Sequence, residues 1–400
     1  MGNGMSNFTD FISGGGDAAP IPTTQFVIGQ SKTFTAPLTG RIKVIITGGG
    51  GQGAFLANKN ASIDQNQGDA TGGGGGGYSE KTFNVTAGET FTITIGAGGA
   101  STLAPNNINS SRVGNNGGNT SFVTASAAVS VNMVANGGGG GQFSASTSSA
   151  VSTAGGAGGT ASGGDFNYTG GTGGTISRVA GCPNNAVTTG GGAVALYGTA
   201  FNGGSVTMTG AVGGQDKIIA TGGAGVGGNG GDVLGVTSTG AYAYLSLGGS
   251  SAKDAPAAEP IAPTSTKMIT GTSGGPNTSP TISTIDAQGN GGYAYHTHNT
   301  GVYSGNGGFG GGSGASSGYN PSGNTGHYYQ SATGGGFGGG GALTWISGVD
   351  TTSTGQVGTG NGGVGGGGSG AFSGPFHTAT SATARVWGPG GDGVCIIMFV

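Results

Sequence analysis

From Tyr78 the chain alternates polar and apolar residues to Val85, turns at Ala87-Gly88-Glu89, and returns through Phe91, Ile93 and Ile95. Period-two alternation on both sides of a short glycine-containing turn predicts a β-hairpin over residues 78–95. This strand pair opens on a pure glycine tract, residues 72–77, and closes on Gly96-Ala97-Gly98-Gly99. Upstream, residues 25–28, 31–35 and 41–47 read as strands, separated by Gly29-Gln30 and Pro37-Leu38-Thr39-Gly40. In the last of these, Ile42, Val44 and Ile46 share one face and Lys43 and Ile45 the other. Residues 121–124 and 129–134 predict another pair. Residues 394–400 form an unbroken apolar run, the pattern of a strand buried on both faces. That strand is expected in the same sheet as residues 41–47, so that the two ends of the chain build one β unit.

Composition changes this picture. Of 400 residues 102 are glycine, only 6% are charged, and 33% are hydrophobic. Disorder couples low hydrophobicity to high net charge, whereas here the formal net charge is -3. Collagen needs glycine at every third position with abundant proline, and this chain has glycine in runs with 13 prolines. The composition fits ordered polyglycine: helices with three residues per turn whose N–H and C=O groups point sideways and bond to neighbouring helices. Ordering a glycine costs roughly 0.5–1 kcal/mol more than ordering an alanine. A hydrogen bond returns about 0.5–1.5 kcal/mol net. Such a bundle therefore holds only if nearly every amide within it is paired.

The expected fold is mostly β with almost no α-helix: a β-sandwich-like unit from both chain ends, plus an inserted bundle of polyglycine-II helices. Residues 1–19 read as a flexible N-terminal arm and residues 20–400 as a single glycine-rich β domain. Within it, residues 20–135 and 384–400 form the β unit, and residues 136–383 the polyglycine-II bundle with its loops. Residues 250–280 carry Pro256, Pro260, Pro263, Pro276 and Pro280 and read as an exposed excursion. An irregular repeat, one apolar residue inside a glycine tract, recurs at residues 306–314, 334–341 and 361–368. No signal peptide or membrane span is expected. Cys182 and Cys395 make no metal pattern, and Cys395 sits in an apolar strand as a buried free thiol.

The chemistry of a catalyst is missing from the pattern. The 14 acidic residues are scattered singly, where glycoside hydrolysis needs two facing carboxylates. No glycine run precedes Lys-Ser or Lys-Thr, which excludes a phosphate-binding loop. No enzyme activity and no cofactor are expected. Scattered Lys and Arg argue against nucleic acid as a partner. His296 and His298 are the candidate metal ligands, since residues two apart on a strand share a face; the favoured reading is two exposed loop histidines, with no metal. The receptor-contact candidates are two aromatic clusters: Tyr293, Tyr295, His296, His298 and Tyr303, then Tyr319, His327, Tyr328 and Tyr329. Tyrosine joins contact area to a hydrogen-bonding tip at low entropic cost.

Three stretches carry a family resemblance: IKVIITGGGG at residues 42–51, GGGGGGYSEKTFNVTAGETFTITIGAGG at residues 72–99, and GPGGDGVCIIMF at residues 388–399. Together they resemble the glycine-rich domain proteins of tail fibres and adhesins of tailed bacteriophages. A similar plan is known in the glycine-rich extracellular domain of anaplastic lymphoma kinase-type receptors. A polyglycine-II bundle also forms the distal adhesin of T-even-like phages. The resemblance implies a virion structural protein, a tail fibre or receptor-binding adhesin on the virion surface. Loops at one end of the bundle would contact a bacterial surface receptor, a glycan or outer-membrane protein. Other virion proteins are implied partners, and a homotrimer is the candidate assembly. The alternative is a non-adhesive shell, decoration or fibre-shaft protein.

Overall fold

The computed structural model describes residues 25–57, 68–100, 111–144, 150–180 and 388–400, together with shorter stretches named where they are used. The described residues are rich in β-strand and include no helix. Two five-stranded antiparallel sheets share one hydrophobic core. The first sheet runs Gln25–Ile28, Val394–Phe399, Gly40–Thr47, Tyr78–Val85, Phe166–Tyr168. The second runs Ala161–Ser162, Asn132–Ala135, Thr120–Ser126, Thr90–Thr94, Lys32–Thr35. The terminal strand pairs with the Gly40–Thr47 strand from Val394↔Thr47 to Phe399↔Ile42, so the chain ends do build one sheet. Ile42, Val44, Ile46, Cys395 and Ile397 of the first sheet join Phe91, Ile93, Phe122 and Met133 of the second in that core. Phe91 and Phe122 stack at 4.9 Å between ring centroids, and Phe83 meets Phe91 edge-on at 5.7 Å. Each such side chain contributes roughly 1.5–3 kcal/mol by burial. The Cys395 thiol lies in this core, free of any disulfide, and burial pushes its pKa up to about 12.

Two expectations are corrected. The strands of residues 78–95 do not form a hairpin. Tyr78–Val85 pairs with Gly40–Thr47 in the first sheet, and Thr90–Thr94 pairs with Thr120–Ser126 and Lys32–Thr35 in the second. The turn between them is an arch from one sheet to the other, which sets the edge-on pair of Phe83 and Phe91 across the core. Hairpin and arch demand the same alternation, and only the surrounding strands decide between them. Gly88 takes φ +91° in this arch, and its N–H donates to the Ala36 carbonyl at 2.9 Å. The second correction concerns the terminal strand. Val394, Cys395, Ile397 and Phe399 are buried, but Ile396 and Met398 are only partly covered. They share the outer face of the sheet with Lys43 and Ile45, where the Lys43 ammonium meets Glu80 at 2.6 Å.

Where the Gly40–Thr47 strand ends, the hydrogen-bond pattern changes period. Gly48, Gly51 and Ala54 donate to Gly77, Gly74 and Thr71; Gly49, Gln52 and Phe55 to Gly118, Asn115 and Arg112; Gly50 and Gly53 to Gly391 and Gly388. Successive amides thus point in three directions, each toward its own antiparallel neighbour. A strand's amides alternate between two directions; a chain with three residues per turn gives three. The tract at residues 71–77 does the same. Thr71, Gly74 and Gly77 donate to Gln142, Gly139 and Asn136; Gly73 and Gly76 to Gly368 and Gly365; Gly75 to Gly171. These segments form a laterally bonded lattice directly beneath the sandwich. Several lie in residues that the sequence assigned to the β unit. The bundle expected over residues 136–383 falls largely outside the described residues.

Side chains mark each segment's place in the lattice. Residues 48–56 and 70–79 are buried throughout, and Gly48, Gly49, Gly50, Gly51, Gly73, Gly74, Gly76 and Gly77 have no room for a Cβ. One built on Gly50 would fall on the carbonyl of Gly366. In residues 153–160, sequence TAGGAGGT, every third residue is different: Ala154, Ala157 and Thr160 are exposed, while Thr153, Gly156 and Gly159 are buried. This segment has an outer face, and a side chain stands at each outward position.

Beyond residue 170 the chain winds in coils. Ile176–Arg178, Val206–Met208 and Val233–Val236 pair in parallel in one sheet. Asp69–Ala70, Asn185–Val187, Ile218–Ala220 and Ala243–Leu245 pair in parallel in another. Each turn of the chain adds one strand to each sheet. The two sheets are tied by a buried ion pair: the Arg178 guanidinium forks onto the Asp69 carboxylate, both side chains fully buried, with Nε to Oδ2 at 3.1 Å. Thr153 Oγ1 donates to the same carboxylate at 3.2 Å.

Candidate functional site

Four of the candidates, Tyr295, His296, His298 and Tyr319, lie on a further sheet whose first pair of strands is antiparallel and whose other pairs are parallel. Its order is Met268–Ile269, Ala294–His298, Ser316–Tyr319, Thr344–Ile346. The register sets Tyr295 beside Ser316, His296 beside Ser317, and His298 beside Tyr319. Ser316 and Ser317 in turn pair with Thr344 and Trp345. Neighbouring strands lie about 4.8 Å apart. The two clusters separated in the sequence therefore supply adjacent strands. His296 and His298 sit on a strand and not in the loop that the sequence favoured. Tyr293, Tyr303, His327, Tyr328 and Tyr329 lie outside the described residues. Parallel pairing is what brings His298 to Tyr319. Parallel strands need a long crossover, so no local pattern announces it.

Among the described residues no three His, Cys, Asp or Glu side chains converge as a metal site. No described helix is long and apolar enough to cross a membrane. The arrangement that can act is a set of Tyr, His, Ser and Trp positions on three adjacent strands, with His296, His298, Ser317, Tyr319 and Trp345 at register positions of one face.

A family model for glycine-rich domains matches residues 23–258. The chain belongs to the glycine-rich domain family. The match covers the sandwich except its terminal strand, much of the glycine lattice and the first coils. It stops before the sheet that carries Tyr295, His296, His298 and Tyr319. No curated protein matches the chain.

A second feature recurs at the starts of strands. Asn116-Gly-Gly-Asn119 runs directly into the Thr120–Ser126 strand, Asn202-Gly-Gly-Ser205 into Val206–Met208, and Asn229-Gly-Gly-Asp232 into Val233–Val236. Thr172-Gly-Gly-Thr175 stands ahead of Ile176–Arg178 in the same way. The backbone N–H of Thr172 donates to Asn202 Oδ1 at 2.9 Å, and that of Asn202 to Asn229 Oδ1 at 2.7 Å. Three residues on, Thr175 N–H donates to Ser205 Oγ at 3.1 Å, and Ser205 N–H to Asp232 Oδ1 at 2.7 Å. The signal that would have found these residues is Asn-Gly-Gly-x placed immediately before a β-branched residue.

Proposed function

We propose that this glycine-rich domain protein is a virion structural protein, a tail fibre or receptor-binding adhesin that attaches to a bacterial surface. The observation that carries the reading is the register of His298 on Tyr319, which gathers two tyrosine- and histidine-bearing segments into one sheet. A contact surface mounted on a rigid frame loses little ordering entropy when it binds. The hydrogen-bonded glycine lattice, read as polyglycine-II, and the ion-paired coils would supply that frame. The likeness of residues 42–51, 72–99 and 388–399 to phage tail-fibre and adhesin proteins supports the virion setting. The partner is a glycan or an outer-membrane protein on the cell surface, and the protein binds without reacting.

The test is saturable binding of the labelled full chain to bacterial cells, in competition with adsorption of the virus. Binding that blocks adsorption, and that falls in a Tyr328→Ala/Tyr329→Ala or His298→Ala/Tyr319→Ala variant, is the expected result. A folded chain in its virion assembly that binds no cells would point to a shell, decoration or fibre-shaft role. The same aromatic positions would then make contacts inside the particle.

A further inference from the structure

A lattice of glycine segments has no built-in limit to its width. Each interior amide donates to a carbonyl of the next segment, and any further glycine segment could join in the same manner. The segment at residues 136–141 shows how the width is set. Two of its three directions follow the interior rule: Asn136 and Gly139 donate to Thr160 and Ala157, and Gly138 and Gly141 donate to Gly49 and Gln52. The third direction does not. Gly137 N–H donates to Asn119 Oδ1 at 3.0 Å, and Gly140 N–H to Asn116 Oδ1 at 2.8 Å. Asn116 and Asn119 are exposed and three residues apart, matching the spacing of the amides they meet. An asparagine side chain is a carboxamide, the same acceptor as a peptide carbonyl.

We propose that Asn116 and Asn119 are edge stops of the glycine lattice: they occupy amides that would otherwise accept a glycine segment from a second copy of this chain. The coils use the same device, with Asn202, Ser205, Asn229 and Asp232 as side-chain acceptors at three-residue spacing. Gly98 N–H meets Asp392 Oδ1 at 2.7 Å at another margin. Side chains close a further margin sterically, where Ala154, Ala157 and Thr160 are exposed. The hazard these stops answer is that of an open sheet edge, whose unpaired backbone groups template another chain. In a chain with 102 glycines, every copy carries segments able to add to its neighbour.

The experiment compares the full-length chain with Asn116→Ala/Asn119→Ala and Asn116→Asp/Asn119→Asp variants by sedimentation and by amide exchange. The alanine variant is expected to gain mass above the wild-type assembly in a concentration-dependent way. In its unassociated fraction, exchange at Gly137 and Gly140 should quicken by about tenfold, the loss of one hydrogen bond each. The aspartate variant retains acceptor oxygens and should keep the wild-type mass. An alanine variant of unchanged mass at every concentration overturns the proposal, as does equal association by the aspartate variant. If the double alanine variant does not fold, Asn116→Ala alone, which frees only Gly140, is judged by the same two outcomes.

Discussion

Gly74 and Ala157 meet at a single carbonyl, and only one of them has room for a methyl group. A Cβ built on Gly74 would fall on the carbonyl of Ala157, while the methyl of Ala157 points to solvent. Between them, the Gly139 N–H donates to that same carbonyl at 2.7 Å, and Gly74 N–H donates to the Gly139 carbonyl at 2.9 Å. Gly74 is interior to the lattice and Ala157 is at its margin.

This difference predicts opposite responses to one methyl group. Gly74→Ala forces two backbones apart and should destabilise by at least about 3 kcal/mol, at or beyond the upper end of ordinary overpacking. Ala157→Gly removes an exposed methyl and should cost only about 0.5–1 kcal/mol in backbone entropy. Denaturant midpoints of the two variants measure this. Equal costs would mean that the segments slide to make room.

The pair of Asp69 and Arg178 joins the two sheets of the coils with both charges fully buried. Removing one partner leaves the other buried without its countercharge, at a cost of about 3–5 kcal/mol. Asp69→Asn and Arg178→Met should each show that loss in chemical unfolding. The double variant should recover much of it, since replacing both charges removes the desolvation burden as well.

Thr47 ends the strand that leads into the lattice. Its Oγ1 is buried without a hydrogen-bond partner, the one such side-chain atom among the described residues. Thr47→Val keeps the shape and deletes the unpaired hydroxyl. It should stabilise the chain by about 1 kcal/mol, the lower end of the desolvation cost of such a group. A lower thermal midpoint for the valine variant would show that the hydroxyl is hydrogen-bonded in solution.

Glu89 pins the arch between the sheets. Its carboxylate accepts the N–H of Thr86 at 2.9 Å and that of Ala128 at 2.8 Å. The Thr86 bond, and then the Ala128 bond, hold its pKa below the ordinary glutamate value of 4.5. A carboxylate lowered in the folded state stabilises that state above the unfolded pKa. The contribution fades as the pH falls through the lowered value. Wild type should therefore exceed Glu89→Gln in stability near neutral pH, and the gap should close as acidification carries the pH through the lowered folded-state pKa. A gap that stays constant with pH would assign the effect to packing of the side chain.

Much of the sandwich was legible because its strands carry their own signal. Ile42, Val44 and Ile46 alternate with Lys43 and Ile45, and that alternation alone fixes which face is buried. The apolar run of residues 394–400 likewise demanded a sheet, and the Gly40–Thr47 strand was the fitting neighbour. That ordered glycine tracts must bond to neighbouring segments followed from composition as a requirement, since unpaired glycine amides could not be held in order.

Partner choice was not legible. Tyr78–Val85 and Thr90–Thr94 show the same alternation whether they bond to each other or to strands on opposite sheets. The packing of Phe83 against Phe91 and Phe122 selects the arch. The parallel coils, the joining of His298 to Tyr319, and the burial of Asp69 against Arg178 all link residues far apart in sequence. Sequence determined which segments extend, which must bond sideways and which positions face out, because those follow from local periodicity and from the absence of side chains. Tertiary structure decided which segment lies beside which, because that choice depends on burying many distant surfaces at once.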